Sequence, residues 1–257
     1  MKMKIDAPRV SFSPYIRELW DEAFGNVEGF LDKFERYGYD AGKLRAVTID
    51  GQIVSAHYLF DCEYDGGRVA YIYGVATRKS HRGKGYSTAL LNDTHEYLLG
   101  EGYAGAILVP ASPSLFAFYE RLGYKTCSSV TELSVVTSGK AVDLYQINAE
   151  EYMALRKEFL PKGAVLQDGS MLAYINSDNE FFRGDGFILA ARECVFDDGE
   201  NGIFATELLG NTDRAGDILA ALGHSRGVFR TIGNQKPFAA YLSFNGAEAP
   251  CWFAFEM

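Results

Sequence analysis

Apolar and polar positions along this chain fall into short blocks whose period changes from one block to the next. Lys43–Ile49 and Gln52–Phe60 are apolar-rich runs of strand length, and Asp50–Gly51 between them is the pair a two-residue hairpin asks for. Asp65–Gly66–Gly67 forms a second turn, leading into a strand over Arg68–Ala76. Beyond it, Ala89, Leu90, Leu91, Tyr97 and Leu98 recur at helical spacing and predict a helix over Ser87–Leu99, stopped by Gly100 and Gly102. Ala104–Val109 reads as a short buried strand, Pro110–Pro113 as a loop, Leu115–Leu122 as a helix ended by Gly123, and Tyr124–Val136 as a further strand. Ahead of these, Ser13–Phe24 and Val27–Tyr37 read as two helices separated by Gly25–Asn26. Ser13 is the N-cap of the first, with Pro14 at its first helical position. The predicted order is α-α-β-β-β-α-β-α-β, a mixed α/β class.

From about Gly139 the blocks shorten. Asn148–Phe159 reads as a helix capped by Asn148, with Glu150 and Glu151 in its first turn. Strands are predicted near Leu166–Tyr174, Gly186–Val195 and Ile203–Leu209, with Asp197–Asp198–Gly199 as the turn between the last two. A helix over Asp213–Leu222 ends at Gly223, and strands near Val228–Ile232, Phe238–Phe244 and Trp252–Phe255 follow. The expected division is a first domain over residues 1–138 and a second, α+β domain over 139–257.

Composition adds exclusions. With 257 residues, 47% hydrophobic and 23% charged, the chain has the balance of a soluble globular protein. Its formal net charge of −9 argues against general nucleic-acid binding. Cysteines 62, 127, 194 and 251 are too scattered for a zinc pair or a redox C-x-x-C. The start has no apolar signal region, so they are expected to be reduced thiols in a cytoplasm. No apolar run approaches the roughly 20 residues of a bilayer span, so no membrane association is expected.

Against that acidic background, Arg78, Lys79, Arg82 and Lys84 crowd one turn of the run Tyr71–Tyr86, YIYGVATRKSHRGKGY. A buried strand, a glycine-punctuated basic turn and a helix start, in that order, make an anion site. Glycines let backbone approach the ligand, and the first helical amides are unpaired donors at a positive dipole end. The spacing is not that of a nucleotide-triphosphate loop, since Lys84 precedes Gly85 and the upstream glycine position holds Arg78. Nor is it a dinucleotide fingerprint, because the third glycine position counted from Gly83 holds Thr88.

Arg82–Ser87, RGKGYS, resembles the pyrophosphate loop of the GNAT (N-acetyltransferase) superfamily, written [QR]-x-x-G-x-[GA]. Arg82 and Gly85 match, and Ser87 stands where glycine or alanine is usual. Ser114–Tyr124, SLFAFYERLGY, resembles the late helix of that superfamily, an aromatic-Tyr-x-x-x-Gly-aromatic run, here Phe118–Tyr119 followed by Gly123–Tyr124. Ser112 occupies the polar position seven residues before the tyrosine. The resemblance covers about residues 10–136 and looks most like bacterial members with an extra C-terminal domain.

The resemblance implies a GNAT α/β fold, acetyl-coenzyme A as acyl donor, and direct attack of a neutral amine on its thioester. Carried over by position, Arg82, Gly83, Lys84, Gly85, Tyr86 and Ser87 take the pyrophosphate, and Ser112 joins the cofactor set. The backbone of Val75, Ala76 and Thr77 takes the pantetheine arm and supplies an oxyanion donor worth roughly 3 kcal/mol. Tyr119 protonates the departing thiolate. Ordinary values near 10 for tyrosine and 8.5 for a thiol leave that transfer uphill by about 2 kcal/mol, which favours a proton shared in the transition state. Arg78 and Lys79 either meet the 3′-phosphate or stay solvated, and His81 reads as a surface residue. No metal is implied. The acceptor of the amine proton has no motif. His57, Asp61, Glu63, Tyr71 and Tyr73 are candidates, as are the C-terminal carboxylate of Met257 and a relay through water.

The second half echoes the first in outline, with Phe204–Ala205–Thr206 lying where Val75–Ala76–Thr77 lie. Its turn Gly210–Arg214 lacks the loop spacing, so a degenerate GNAT-like domain without a second cofactor site is expected. The acidic balance suits a cationic acceptor: a polyamine, an aminoglycoside, an amine-bearing metabolite or a lysine side chain. The leading expectation is transfer to a small-molecule primary amine. Transfer to a protein or peptide lysine or N-terminus, and a non-catalytic coenzyme A-binding regulatory module, are the alternatives. Exposed edge strands permit a homodimer.

Overall fold

The computed structural model describes residues 2–65, 67–167 and 169–254. Two compact units interleave along the chain. One holds the residues up to Lys125 with Gln167–Tyr174 and Ala240–Ala249; the other holds Thr126–Leu166, Ile175–Ala239 and the residues from Pro250. The chain passes between the units several times rather than once near residue 138.

The first unit opens with β1 (Met3–Asp6), a half-exposed strand too short to carry a periodic signal. Two pieces, α1 (Phe12–Tyr15) and α2 (Arg17–Phe24), replace the single helix predicted over Ser13–Phe24. Ser13 is extended at φ −92° and ψ 135°, where the following proline drives it, so Ser13 and Pro14 do not start a continuous helix. The predicted Val27–Tyr37 helix is also broken, into a 3-10 turn Val27–Gly29, α3 (Phe30–Lys33) and a π-type turn Phe34–Gly38, because Glu28 and Gly29 both take positive φ. Phe12, Trp20 and Phe34 are wholly buried against one another, and this aromatic packing holds pieces too short to be stable alone.

Next, β2 (Leu44–Ile49), β3 (Gln52–Tyr64) and β4 (Gly67–Thr77) pair antiparallel in sequence, with β1 on β2. Asp50 and Gly51 both have positive φ, as a type I′ hairpin requires. Gly66, in the second predicted turn, lies outside the described residues. β3 runs four residues beyond the predicted Gln52–Phe60 and is buried on consecutive positions because both its faces are covered. On one face Tyr58, Phe60 and Tyr73 meet Phe34, and Trp20 meets Tyr73. On the other, Leu59, Ala70 and Ile72 pack with Leu91 and Leu98 of α4 (Tyr86–Gly100). β5 (Gly105–Leu108) runs parallel to β4, and α5 (Pro113–Glu120) follows it.

From Lys125 the chain gives β6 (Lys125–Val136), β7 (Tyr145–Ile147) and α6 (Ala149–Phe159), whose cap Asn148 accepts from the Glu151 amide at 2.9 Å. The strand predicted over Leu166–Tyr174 is overturned: only β8 (Leu166–Gln167) is extended, and α7 (Gly169–Asn176) is helical. Met171, Tyr174 and Ile175 are buried at spacings of three and four, the helical period, which a run this short does not separate from a strand by apolarity alone. β9 (Glu180–Gly184), β10 (Phe187–Val195), β11 (Asn201–Gly210), α8 (Ala215–Leu222), β12 (Arg226–Ile232) and β13 (Lys236–Ser243) complete the chain. The sheet of the second unit has the order β6-β12-β11-β10-β9-β7; β7 and β9 were not predicted. Residues 240–243 of β13 pair antiparallel with β5 in the first unit. In place of a final strand over Trp252–Phe255 there is a single bridge from Ala164 to Trp252, Phe255 lying outside the described residues.

One construction recurs. β4 pairs with β5 only over Val69–Tyr71, then leaves it, and just beyond that point spends Gly74 and Val75 against the single residue His57 of β3. β11 pairs with β12 only over Ile203–Ala205, and Thr206 immediately afterwards is the extra residue against β10. In each unit a bulge sits where a parallel pair splays.

Candidate functional site

The basic turn lies between the end of β4 and the start of α4. Gly83 (φ +74°) and Gly85 (φ +80°) are both left-handed, and a Cβ on either would meet no atom of the described residues within 4 Å. Glycine is required there by conformation, and the space beside it is open. Gly85 is the N-cap of α4 and offers no capping side chain, and the first intrahelical bond runs from Ala89 N–H to the Gly85 carbonyl at 2.9 Å. The amides before Ala89 therefore face outward without helical partners, at the positive end of a 15-residue helix. Tyr86 packs against Val47, Ile49, Val54 and Leu90, fixing the first turn of α4, and Ser87 is half-buried beside it.

The basic side chains shape the turn as well as charge it. Arg82 Nε donates to the Thr77 carbonyl at 3.0 Å, and Lys84 Nζ to the Ser80 carbonyl at 3.0 Å. Arg78 Nε donates to the Ile53 carbonyl at 3.1 Å, and its guanidinium pairs with Glu18 at 3.4 Å. His81 is on the surface, with Nδ1 2.9 Å from Ser80 Oγ.

Upstream, Val75, Ala76 and Thr77 form the last turn of the pleat in β4. Ala56 and Ser55 of β3 pair with Ala76 and Thr77, and Ser55 Oγ donates to the Ala76 carbonyl at 2.9 Å. On the other side β5 has already departed, leaving this backbone edge outside the β4–β5 ladder. Gly74 is fixed by packing too, since a Cβ there would lie 2.2 Å from the Trp20 ring.

Tyr119 sits near the end of α5, 6% exposed, in one apolar cluster with Leu91 and Leu108, against which Val75 packs. The fold thus brings the late-helix tyrosine to the splayed strand. Burial pushes its hydroxyl up to about 12, so it is protonated throughout the neutral range. Its ring stands edge-on to Tyr124, whose hydroxyl is 2.8 Å from His95 Nε2. Ser112 is at the opposite end of α5, roughly 10 Å along the helix axis, with its hydroxyl 3.0 Å from that of Ser114.

The base candidates part ways. His57 is fully buried with Nε2 3.0 Å from Thr94 Oγ1; burial above all, then the Arg45 charge, pushes it down to about 3, so it is a neutral core residue sealed from any ligand. Asp61 is 2.6 Å from Lys43 Nζ and accepts from Tyr103. Glu63 pairs across to Arg68 at the start of β4, roughly 20 Å of strand from the bulge. Tyr71 is buried, whereas Tyr73 is half-buried with its hydroxyl 3.1 Å from that of Tyr174. Met257 lies outside the described residues. Sequence reasoning missed Glu18, Trp20 and Glu22 of α2, which reach the turn and the bulge, and Tyr174. These contacts link residues 54 to 101 positions apart, for which no local spacing gives a signal. Among the described residues no cluster of His, Cys, Asp or Glu could hold a metal ion, and no helix is long and apolar enough to cross a membrane.

Residues 5–127 match the sequence model of the acetyltransferase (GNAT) domain. Solved structures of similar fold include a probable N-acyltransferase from Enterococcus faecalis V583, at 16% identity over 94% of this chain and 72% of that one, TM-score 0.71. Another is a GCN5-related N-acetyltransferase from Kribbella flavida, at 14% identity over 95% of this chain and 71% of that one, TM-score 0.68. A third is Eis1 from Mycobacterium abscessus, at 12% identity over 95% and 74%, TM-score 0.65. No curated protein matches the chain in sequence.

Proposed function

Residues 5–127 being a GNAT acetyltransferase domain, we propose that this chain moves an acetyl group from acetyl-coenzyme A to a primary amine by direct attack. The β4–turn–α4 corner carries the reading: two left-handed glycines with open space beside them, unpaired amides at a helix start, and a local cluster of positive charge. The coenzyme supplies the activated acyl group. The amides of Tyr86 and Ser87, with Arg82 and Lys84, hold the pyrophosphate, and the backbone edge of Val75–Thr77 that β5 has left takes the pantetheine arm. An amide of that edge would supply a donor to the acyl oxygen as it gains charge.

Tyr119 donates a hydrogen bond to the departing sulfur. With its hydroxyl pushed up to about 12 and a free thiol near 8.5, a completed early transfer lies roughly 5 kcal/mol uphill, so its proton is shared in the transition state. Of the base candidates among the described residues, Tyr73 alone combines a half-buried position with a place next to the bulge, and the amine proton leaves past it to water. The test is calorimetric titration with acetyl-coenzyme A, with adenosine diphosphate as control, followed by thiol release against a panel of small amines and lysine peptides. Micromolar binding confined to the coenzyme, and thiol release that depends on an amine, are expected. Absence of coenzyme binding would overturn the reading; binding without release against any amine would leave a coenzyme-binding module.

A further inference from the structure

The turn that leads into the cofactor corner lacks a cap of its own. A 3-10 turn over Lys79–His81 starts after Arg78, and a guanidinium has no acceptor with which to satisfy the first amide. The carboxylate of Glu22, on α2 and 57 positions earlier, fills the gap by accepting from the Lys79 N–H. One turn back on the same helix, Glu18 pairs with Arg78, although at 74% exposure this contact contributes little. Glu22 stands in the last turn of α2, beside Asp21 and with no basic residue there, where the helix dipole disfavours a carboxylate. The contact with Lys79 offsets that local conflict. The same helix wedges Trp20 against Gly74 at the bulge of β4.

We propose that Glu22 is a positioning residue for coenzyme binding: by capping Lys79 it holds the segment Arg78–His81, and through it the amides of the Arg82–Ser87 turn, in the geometry that accepts the pyrophosphate. This rests on the reading that the turn takes the coenzyme. The sign of the effect separates it from simple electrostatics. Glu22 is an anion close to a site for anions, so its charge alone should weaken binding, and removing it should then tighten binding.

The experiment is calorimetric titration of coenzyme A into wild type, Glu22→Ala, Glu22→Gln and Glu28→Ala, with a thermal melt of each. Glu22→Ala should weaken binding about tenfold, the size of a lost charge-assisted hydrogen bond. Glu22→Gln, whose amide oxygen still accepts from Lys79, should recover most of that loss, and Glu28→Ala should leave affinity unchanged. Equal or tighter binding by Glu22→Ala, or a Glu22→Gln variant no better than Glu22→Ala, would overturn the proposal. A melting temperature that falls in Glu22→Ala while affinity holds would do the same. Failure of wild type to bind is seen before any variant is compared, and would overturn the cofactor reading itself.

Discussion

Replacing Gly85 with glutamate separates the conformation of the glycine turn from the ligand proposed for it. At φ +80° a side chain costs about 1–2 kcal/mol in left-handed backbone, and no clash adds to this because a Cβ meets none of the described residues within 4 Å. For a protein of this size that corresponds to a fall of roughly 2–8 °C in melting temperature, with the fold intact. The ligand meets a larger penalty. A carboxylate about 4 Å from a pyrophosphate charge, at an effective dielectric between about 20 and 80, is repelled by roughly 1–4 kcal/mol. Affinity should therefore fall between about fivefold and a thousandfold, before any loss of room is counted. Gly85→Ala carries the same strain without the charge and should bind within about fivefold of wild type. Calorimetric titration of the three proteins, with a circular-dichroism melt of each, gives both numbers. A Gly85→Glu variant that melts a few degrees lower and binds coenzyme A like wild type would refute the loop assignment. A fall of more than about 15 °C would refute the claim that the space beside Gly85 is open.

Two further outcomes follow from the buried titratable groups. Tyr119→Phe should lower kcat about a hundredfold while coenzyme affinity stays within about twofold. In wild type no alkaline loss of rate should arise from Tyr119 below about pH 11, since burial holds the hydroxyl up to about 12. A fully active Tyr119→Phe variant would remove the acid role. His57 is pushed down to about 3 in the fold and returns to about 6.5 on unfolding, so between those values the unfolded chain binds a proton that the folded chain does not. Stability must then decline as pH falls from about 6.5 towards 3. His57→Gln should flatten part of that decline in denaturant titrations at pH 7, 5 and 4, His95 continuing to act in the same direction, and should keep its turnover at pH 7. An unchanged acid slope, or turnover lost from a folded variant, would count against the sealed-core assignment.

What could be read from the sequence was what short-range patterns encode. The Asp50–Gly51 hairpin, the β4–turn–α4 corner and the helix ended by Gly123 each depend on a few adjacent residues whose backbone preferences agree with the fold. The failures lie where distant packing decides. Ser13–Phe24 and Val27–Tyr37 have helical composition, but Trp20 and Phe34 are drawn into one aromatic cluster with Tyr73, and the backbone bends to deliver them. Leu166–Tyr174 reads as a strand because its apolar run is too short to reveal a period, and the Phe34 and Phe60 rings that receive Tyr174 are more than a hundred residues away. At the site, composition made His57 a base candidate, and only its depth beneath α4 removed it.

The same distinction explains why two similar strand–helix–strand constructions need not hold two coenzymes. In the second unit the place of the open glycine turn is taken by Thr212–Arg214, where Asn211 already accepts from the Asp213 amide at 3.1 Å and the Arg214 guanidinium is held by Asp217 at 3.2 Å. The splay beyond β11 is filled as well. Directly after the bulge, the wholly buried Glu207 accepts from Arg156 Nε at 2.6 Å, Arg156 Nη2 at 3.0 Å, Tyr152 Oη at 2.9 Å and Trp252 Nε1 at 3.3 Å. A ligand entering there would have to break a buried ion pair and leave several donors unsatisfied, at a cost of about 3–5 kcal/mol for the pair alone. Titration should accordingly give one coenzyme A per chain. Glu207→Ala should destabilise the protein by about that amount, and Arg156→Met combined with Glu207→Met should regain most of the loss, with affinity for the coenzyme unchanged in every folded variant. A stoichiometry of two, or a second binding event appearing when Glu207 is removed, would show that the second unit keeps a working cradle under its ion pair.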